Sequence, residues 1–493
     1  MGIIQRQGII NSILTYTGII IGALNIIVFM PMFLSKEEIG LTRVLFSFSA
    51  LVAQLVPLGM SSITLKFFPN FRNKENKHHG FFGLSLFLPA IGFVLAAILI
   101  LTFKTFITAQ YNRQSPLINE YFNYILPLTF FLAFSSVFTT YCFSLFKSSF
   151  PVFVNDVMVR VLAIGLYAIY FLKFITLDQF IMLYVLKFGV QMLMLLIYIF
   201  QADTPGLKVN FTYFKTQQPK AMLKYGLLLS FTALSSLGLK YIDVVMLGKY
   251  VSLDYVGIYA IAVFIPTVIE APLGALEKIG IASIAEAWKR NDKAEVKNIY
   301  FRSSKYLLLA GGLLFLCVNL SISQLFELFP DKGFALGQSV VLIISIGTLV
   351  NMATGINDAI IYTSDKYIYG AYMLMILFVI AIANNYILIP KFGMNGAALA
   401  TVISATVFNI MKFAFLWKEF DLQPFNRKTP LIFLTIGLCF VVVWFLPSVG
   451  HPLLQIVYRS GLIIVMYIGL VKVFNIVPEL EAEAVRIFKK RFQ

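Results

Sequence analysis

The sequence has 493 residues, of which 59% are hydrophobic and only 13% are charged, and its formal net charge is +16. About a quarter of the residues of a soluble domain are charged, so this composition excludes a soluble protein and predicts a polytopic membrane protein. The positive charge would suggest nucleic acid as a partner of a soluble chain. Here the basic residues concentrate in alternate loops between apolar segments, where they signal topology, and no nucleic-acid partner is expected.

Apolar segments of membrane-spanning length follow one another along the whole chain. A spanning helix needs about 20 mostly apolar residues. On this criterion the sequence predicts an all-α fold with about 14 transmembrane helices, over residues 10–33, 44–67, 81–103, 122–146, 151–172, 179–201, 223–247, 256–280, 304–328, 338–363, 367–389, 394–417, 429–447 and 453–475. In the tail, 477–493, apolar residues recur every four positions among charged ones, which predicts an amphipathic helix on the cytoplasmic membrane surface.

Loop charges predict the orientation of the chain. If the N-terminus is cytoplasmic, the inner segments hold 23 lysine and arginine residues and the outer segments hold 8, with Arg43 counted among the outer ones. This bias predicts that both termini are cytoplasmic. The outer loops are also short, so they leave no room for an external catalytic domain, and we expect neither enzyme activity nor catalytic residues.

Cofactor motifs are missing from the sequence. Cys142, Cys317 and Cys439 lie within apolar segments, without paired spacing or a neighbouring histidine cluster, so neither a disulfide framework nor a metal site is expected. The sequence contains no phosphate-binding G-x-x-x-x-G-K-[ST] motif, which argues against ATP-driven pumping. We therefore expect no cofactor.

An internal repeat relates the two halves of the chain. Residues 33–40 (FLSKEEIG) align with residues 250–257 (YVSLDYVG) at an offset of 217, and Pro57-Leu-Gly aligns with Pro272-Leu-Gly at an offset of 215. Parallel repeats of this kind build transporters whose site lies between the halves, although chance similarity of apolar segments is an alternative. We predict two six-helix lobes and a C-terminal helix pair. The predicted boundaries are 1–215 for the N-lobe, 216–425 for the C-lobe, 426–476 for helices 13 and 14, and 477–493 for the tail.

Four cations lie inside predicted spans. Arg160 is about 13 Å deep at 1.5 Å per residue, and Lys187 is similarly deep from the other side. Charges at this depth normally face a protein interior or a watery cavity. Arg160 has Asp156 four residues before it, so local pairing is an alternative for it. Lys240 has the same alternative with a carboxylate three residues away, and Arg459 has the alternative of snorkelling.

Carboxylates in the spans are candidates for ion coupling. Glu270 has no basic residue at helical spacing, and a buried carboxyl could take up and release a proton. A protonated carboxyl hydrogen-bonded to a neighbouring helix is the alternative. Asp243 and Asp358 complete the predicted set.

Prolines at matching places of the repeat are candidate hinges. Pro57 and Pro272 each remove a helical hydrogen bond and permit a bend, although such bends also occur in static membrane helices. Gly18 and Gly22 have the small-xxx-small spacing that predicts close helix packing.

Three segments carry a family resemblance: 33–40, 241–259 (beginning YIDVVMLG), and 393–401 (GMNGAALAT). They resemble the polysaccharide transporter (oligosaccharide flippase) family of the multidrug/oligosaccharidyl-lipid/polysaccharide exporter superfamily. The resemblance implies a flippase that moves undecaprenyl-pyrophosphate-linked oligosaccharides across the bacterial inner membrane by alternating access, often with an ion gradient. It also implies membrane lipids, H⁺ or Na⁺, and other polysaccharide-assembly proteins as candidate partners.

The charged residues agree with an anionic cargo. Cations in a wet cleft would stabilise a pyrophosphate, so Arg160 and Lys187 are the first candidates for its contact, followed by Lys240 and Arg459. The alternatives that remain are an ion-coupled multidrug extruder of the same superfamily and a peptidoglycan-precursor flippase. A membrane polysaccharide polymerase is disfavoured because such enzymes generally need a sizeable external loop.

Overall fold

A computed structural model describes residues 3–329, 333–447 and 450–478, and for residues 3–6 it describes the backbone alone. Every regular element in these ranges is a helix, which confirms the predicted all-α fold. The predicted surface helix over 477–493 lies almost wholly outside the described residues.

The chain divides into two compact units. The first comprises Met1–Ile261 with Asn385–Ala397, and the second comprises Ala262–Asn384 with Ala398–Gln493. These are packing units. The predicted lobes 1–215 and 216–425 concern an internal repeat, which packing does not test, and they stay a prediction.

The first unit contains the helices of the N-terminal half. They are α1 (Ile3–Leu24), α2 (Met30–Phe33), α3 (Lys36–Leu55), α4 (Met60–Phe71), α5 (Phe81–Thr102), α6 (Lys104–Tyr111), α7 (Leu117–Tyr121), α8 (Ile125–Ser144), α9 (Ser149–Val152), α10 (Val159–Phe171), α11 (Leu177–Ala202), α12 (Phe211–Thr216), α13 (Pro219–Tyr250) and most of α14 (Leu253–Phe264). Two π-helical stretches, Asn25–Phe29 and Phe153–Met158, interrupt the first and fifth predicted spans.

The second unit contains α15 (Thr267–Lys289), α16 (Lys293–Glu327), α17 (Gln338–Ala353), α18 (Asn357–Thr363), most of α19 (Tyr367–Phe420), α20 (Thr429–Trp444) and α21 (Pro452–Val473). The apolar faces of α20 and α21 pack on α16, with Cys439, Ile463 and Leu316 fully buried in one core. The C-terminal helix pair therefore belongs to the core of this unit.

The predicted number of 14 membrane spans can be compared with a count by helix length and apolar content. By length and apolar content, 11 helices in the described residues could cross a membrane, or up to 12 if the bent pair α14 and α15 counts as one span. The predicted count of 14 is therefore not confirmed. The count treats α19 as a single span and sets α20 apart as a shorter apolar helix of 16 residues.

The chain reverses direction within α19. This helix has 54 residues, far more than the 20 or so that a bilayer needs, and Gly393 inside it has a φ of 57°. Asn384 donates a hydrogen bond to Ser404 at 2.9 Å, although the two residues are 20 positions apart. In a straight helix that separation would be about 30 Å, so α19 consists of two arms that run back along each other.

The repeated motif forms a reciprocal contact in the first unit. A Cβ on Gly40 would lie 2.1 Å from the carbonyl oxygen of Leu253, and a Cβ on Gly257 would lie 2.1 Å from that of Lys36. Lys36 corresponds to Leu253, and Gly40 to Gly257, at the offset of 217. The start of α3 therefore packs on the start of α14 through equivalent residues, and glycine is required because no side chain fits.

Helix caps begin the membrane helices at defined residues. Ser35 accepts from the backbone N–H of Glu38 at 3.2 Å, and the Glu38 carboxylate accepts from the Ser35 N–H at 2.8 Å. The same reciprocal box between Thr176 and Gln179 begins α11. Each box satisfies backbone donors that the first helical turn leaves without partners, and this determines where the helix starts.

The second predicted span is broken at Pro57. Leu58 and Gly59 have φ values of 49° and 85°, which end α3 and restart the chain as α4. A Cβ on Gly59 would lie 2.2 Å from the backbone of Gly226 in α13, so the break lies directly against that helix. At the matching place in the repeat, Pro272 lies inside the continuous helix α15. The 42° bend between α14 and α15 lies near Pro266 instead.

Candidate functional site

One buried and one partly buried cation form a cluster with three tyrosines inside the first unit, which we call the basic cluster: Arg43, Lys187, Tyr167, Tyr184 and Tyr241. The Lys187 side chain is only 8% exposed, and its Nζ lies 3.8 Å from the ring centre of Tyr184. Arg43 lies near enough to act electrostatically on Lys187 and on all three tyrosines.

Neither cation of the basic cluster is neutralised by a carboxylate. Within the described residues, Arg43 and Lys187 form no ion pair, and the Nε of Arg43 is buried without a hydrogen-bond partner. The contact of Lys187 with aromatic rings contributes about 0.5–2 kcal/mol, which is less than the cost of burying an ammonium group. Two like charges held together at bilayer depth would be stabilised by a bound anion, so the cluster has the chemistry of an anion site.

A polar residue at a helix irregularity borders the basic cluster. Asn25 is buried near Tyr167, its Oδ1 has no hydrogen-bond partner among the described residues, and it begins the π-helical stretch that ends at Phe29. An extra residue in a helical turn leaves a carbonyl without its usual partner, and such stretches are frequent at functional sites. The first span therefore carries a polar irregularity next to the cations.

Arg160 contacts the first helix. Its guanidinium donates to the carbonyl oxygen of Gly18, and a Cβ on Gly22 would lie 2.8 Å from its Nη1. Asp156 accepts from Thr15 at 3.4 Å, and in the described part of the chain it forms no ion pair with Arg160. The close packing predicted for Gly18 and Gly22 is therefore present, and the local pairing alternative for Arg160 is not.

Lys240 and Asp243 have different environments on α13. Lys240 is exposed, whereas the Asp243 side chain is buried and accepts a hydrogen bond from the Tyr259 hydroxyl at 2.5 Å. No ion pair joins Lys240 to Asp243 among the described residues. Asp243 is thus held between α13 and α14 of the first unit.

A second ionisable cluster, the acidic cluster, lies in the second unit and consists of Glu270, Glu277, Asp358 and Lys412. Lys412 Nζ lies 2.8 Å from Asp358 Oδ2, and the two side chains are 2% and 37% exposed. Glu277 lies near enough to interact electrostatically with the other three members. The acidic cluster therefore contains three carboxyl groups and one lysine, which is paired with Asp358.

Amide and hydroxyl side chains extend the acidic cluster. Asn351 donates to Glu270 at 3.2 Å, its carbonyl accepts from Thr354 at 2.8 Å, and Thr354 donates to Asn409 at 3.1 Å. Hydrogen bonds therefore connect the middle of the predicted eighth span with α17 and the second arm of α19. In the chain as described, no group of three or more His, Cys, Asp or Glu side chains could hold a metal ion.

Arg459 is held by backbone groups of the second unit. It donates to the carbonyl oxygens of Leu320 at 3.2 Å and Leu446 at 3.0 Å, and only 8% of it is exposed. These contacts tie α21 to the end of α16 and to the chain after α20. They are the contacts of a residue that stabilises helix packing.

The sequence interpretation missed Arg43 and Lys412. Arg43 was assigned to an outer loop because the apolar stretch starts only at residue 44, yet the capped helix α3 begins at Lys36. Lys412 lies in an apolar segment, and its partner Asp358 is 54 residues away, so no helical spacing could reveal the pair. A search for every charge within two turns of a span end would have found both.

No family model matches the sequence, and no curated protein matches it. Several solved structures do match the chain. The lipid II flippase MurJ in an inward closed conformation has a TM-score of 0.74 at 12% identity, over 96% of this chain and 99% of that one. An inward-facing multidrug resistance MATE family transporter has a TM-score of 0.65 at 16% identity, over 84% and 98%.

A MOP superfamily transporter from Pyrococcus furiosus has a TM-score of 0.55 at 16% identity, over 84% of this chain and 95% of that one. The MATE family transporter is also described as a MOP superfamily member. The chain has the fold of the MOP superfamily transporters. With that fold, a multi-pass membrane location follows from the apolar helices.

Proposed function

We propose that this protein is a flippase that moves an undecaprenyl-pyrophosphate-linked oligosaccharide across the bacterial inner membrane by alternating access, for surface polysaccharide biosynthesis. The observation that carries the proposal is the basic cluster. Arg43 and Lys187 lie close to each other and to aromatic side chains, and in the described part of the chain neither forms an ion pair, so an anionic group is their natural partner. A pyrophosphate supplies that charge, and the tyrosine rings offer faces on which sugars can stack.

The acidic cluster supports ion coupling in the same proposal. Glu270, Asp358 and Glu277 lie in one cluster with Lys412, so a proton or Na⁺ taken up there would reduce repulsion among the carboxylates. We propose that this uptake changes the stability of one conformation relative to another and so drives the cycle. Asp243, held by Tyr259, is a secondary coupling candidate in the first unit.

The proposal gives secondary roles to three other cations, Arg160, Lys240 and Arg459. Arg160 is a candidate for headgroup contact because its guanidinium is only partly buried at the Gly18 face of α1. Lys240 is exposed and has no contact that ties it to a site in the described residues. We propose a packing role for Arg459. Pro57, at the break between α3 and α4, is the better supported of the two hinge candidates.

Two other functions each have an observation in their favour. A lipid II flippase is favoured by the fold likeness to the lipid II flippase MurJ. A multidrug extruder is favoured by the acidic cluster, which suits cationic drugs. The basic cluster favours a phosphate-bearing cargo over a cationic one.

Deletion of the gene distinguishes the three functions. The lipid-linked precursors of the deletion strain would be extracted and identified by mass spectrometry, and its surface glycan would be measured beside a complemented strain. Accumulation of an undecaprenyl-pyrophosphate-linked oligosaccharide with loss of surface glycan supports the proposal. Accumulation of the peptidoglycan precursor indicates the second function. Unchanged precursors with raised drug sensitivity indicate the third.

A further inference from the structure

Two loops of the first unit are bound tightly to each other. The loop at 72–80, after α4, and the loop at 203–210, after α11, share backbone hydrogen bonds. Gly206 donates to Lys77 at 3.2 Å, Gly83 donates to Gly206 at 3.2 Å, and Asn210 donates to His79 at 3.1 Å. The basic residues of both loops predict that this face is cytoplasmic.

The first of these loops has a strained backbone. Four consecutive residues, Lys77, His78, His79 and Gly80, have φ values of 48°, 54°, 51° and 73°. Left-handed conformations cost conformational free energy for residues other than glycine, so the surrounding contacts must hold them in place. His78 provides such contacts. Its Nδ1 accepts a hydrogen bond from the backbone N–H of Asn73, and its Nε2 lies 3.0 Å from the carboxylate of Asp203.

The left-handed residues 77–79 direct their side chains to two different sides of the loop. His78 points inward and is fully buried, whereas Lys77 is exposed and His79 stacks on Tyr213 with ring centres 3.7 Å apart. Tyr213 in turn donates to the carbonyl oxygen of Asn70 at 2.9 Å. The loop thus forms a rigid wall that presents polar side chains outward.

An open cavity of about 1030 Å³ lies along this wall. Its lining includes Lys77 and Lys208 as cations and Glu75 as the one acid, together with amide and hydroxyl groups such as those of Asn210 and Tyr213. At neutral pH the charges of two lysines and one glutamate leave an excess of one positive charge, which one phosphodiester group would balance. The cavity is as large as sites that hold small ligands.

Apolar side chains border the cavity on the second loop. Leu207 and Phe211 are 59% and 58% exposed, although they lie in a polar loop. At the edge of a membrane protein, exposed apolar and aromatic side chains beside lysines are typical of residues at the level of the lipid headgroups. The cavity would therefore open where lipid phosphates lie.

We propose that this cavity binds the headgroup of an anionic phospholipid, with the phosphodiester between Lys77 and Lys208. Leu207 and Phe211 contact the adjoining glycerol and acyl region, and the hydrogen bonds between the loops hold the site in shape without the lipid. The site is separate from the basic cluster, and it does not depend on which cargo the protein moves.

Lipid binding by the purified full-length protein tests the proposal. Short-chain phosphatidylglycerol and phosphatidylcholine would each be titrated into the detergent-solubilised protein, with retained lipid measured by native mass spectrometry. For Lys77→Ala/Lys208→Ala, we expect affinity for phosphatidylglycerol to fall about a hundredfold, which is the effect of two lost charge-assisted hydrogen bonds. Glu75→Gln should strengthen the same binding.

The matched control is Lys215→Ala/Lys220→Ala, which removes two exposed lysines next to the same loop without touching the cavity lining. We expect this variant to bind phosphatidylglycerol like the unmodified protein. Equal losses in both double variants would show unspecific attraction and overturn the proposal. Binding of glycerol phosphate as tight as that of the lipid would overturn the lipid assignment. Melting temperatures without lipid identify variants that fail to fold.

Discussion

The two packing units carry ionisable groups of opposite balance at membrane depth. In the first unit, Lys187 lies on an aromatic ring near Arg43, and neither cation forms an ion pair within the described residues. In the second, the acidic cluster contains Glu270, Glu277 and Asp358 with Lys412, which pairs with Asp358. The basic cluster suits an anion and the acidic cluster suits a proton, so under our proposal the two regions have different tasks, cargo binding and ion coupling.

Removal of the basic cluster should have the largest effect. Arg43→Met/Lys187→Met keeps the packing volume but removes two charge-assisted contacts with a phosphate, each worth about 1.5–3 kcal/mol. We expect flipping of a pyrophosphate-linked lipid in proteoliposomes to fall by about a hundredfold or more. The control Lys240→Met removes an exposed membrane cation and should flip normally. Normal flipping by the double variant would remove the basic cluster from the mechanism.

Removal of the lysine from the acidic cluster should have the next largest effect. Lys412→Met leaves Asp358, Glu277 and Glu270 without a countercharge, so they should bind protons more readily. We expect gradient-driven flipping to fall about tenfold, through the loss of one buried charged contact, and its pH dependence to move to higher pH. Lys412→Arg, which keeps the charge, is the control. An unchanged pH profile in Lys412→Met would exclude the acidic cluster from coupling.

Neutralisation of one exposed acid should have a smaller effect. Glu270→Gln keeps the shape of the side chain and a partner for Asn351 but cannot take up a proton. Because Glu270 is exposed, we expect roughly a threefold loss of gradient-driven flipping. Flipping measured after the gradient is collapsed should match the unmodified protein. The coupling role fails if the variant and the unmodified protein respond equally to the gradient.

The smallest effect should come from a change next to Asp243. This buried acid lies in the first unit, so it is an exception to the contrast between a basic first unit and an acidic second unit. Tyr259→Phe removes the hydroxyl that donates to Asp243 and should lower the free energy of unfolding by about 1–3 kcal/mol. If Asp243 is structural, flipping by the folded variant should not change. A changed ion dependence would instead give the first unit a coupling group and weaken the contrast.

Most of the fold could be predicted from the sequence. The lengths of the apolar segments predicted the helices. The repeat with an offset of 217 residues predicted equivalent segments, and these segments contact each other at Gly40 and Gly257. The span count was less predictable. The predicted spans 367–389 and 394–417 do break next to Gly393, where α19 turns, and the predicted span 429–447 overlaps α20. By length and apolar content, however, α19 counts as one span and α20 is too short to count, so the number 14 is not confirmed.

The candidate site was predicted only in part, for two physical reasons. Lys187 was found because its depth in a span is a local property of the sequence. The cluster around it depends on helices far apart in the chain, and Arg43 was hidden because capping by Ser35 and Glu38 extends α3 beyond its apolar part. Arg160 donates to the carbonyl oxygen of Gly18 and does not pair with the nearby Asp156 in the described residues. Sequence spacing alone could not distinguish these two contacts.

The central claim is that Arg43 and Lys187 hold the phosphate groups of the cargo. The most direct test compares the affinities of the purified protein for farnesyl diphosphate and for farnesol, which share the same apolar chain. We predict that the diphosphate binds more tightly, by about a hundredfold, and that Arg43→Met/Lys187→Met removes this difference. Equal affinities for the two compounds in the unmodified protein, or an unchanged preference in the double variant, would contradict the claim.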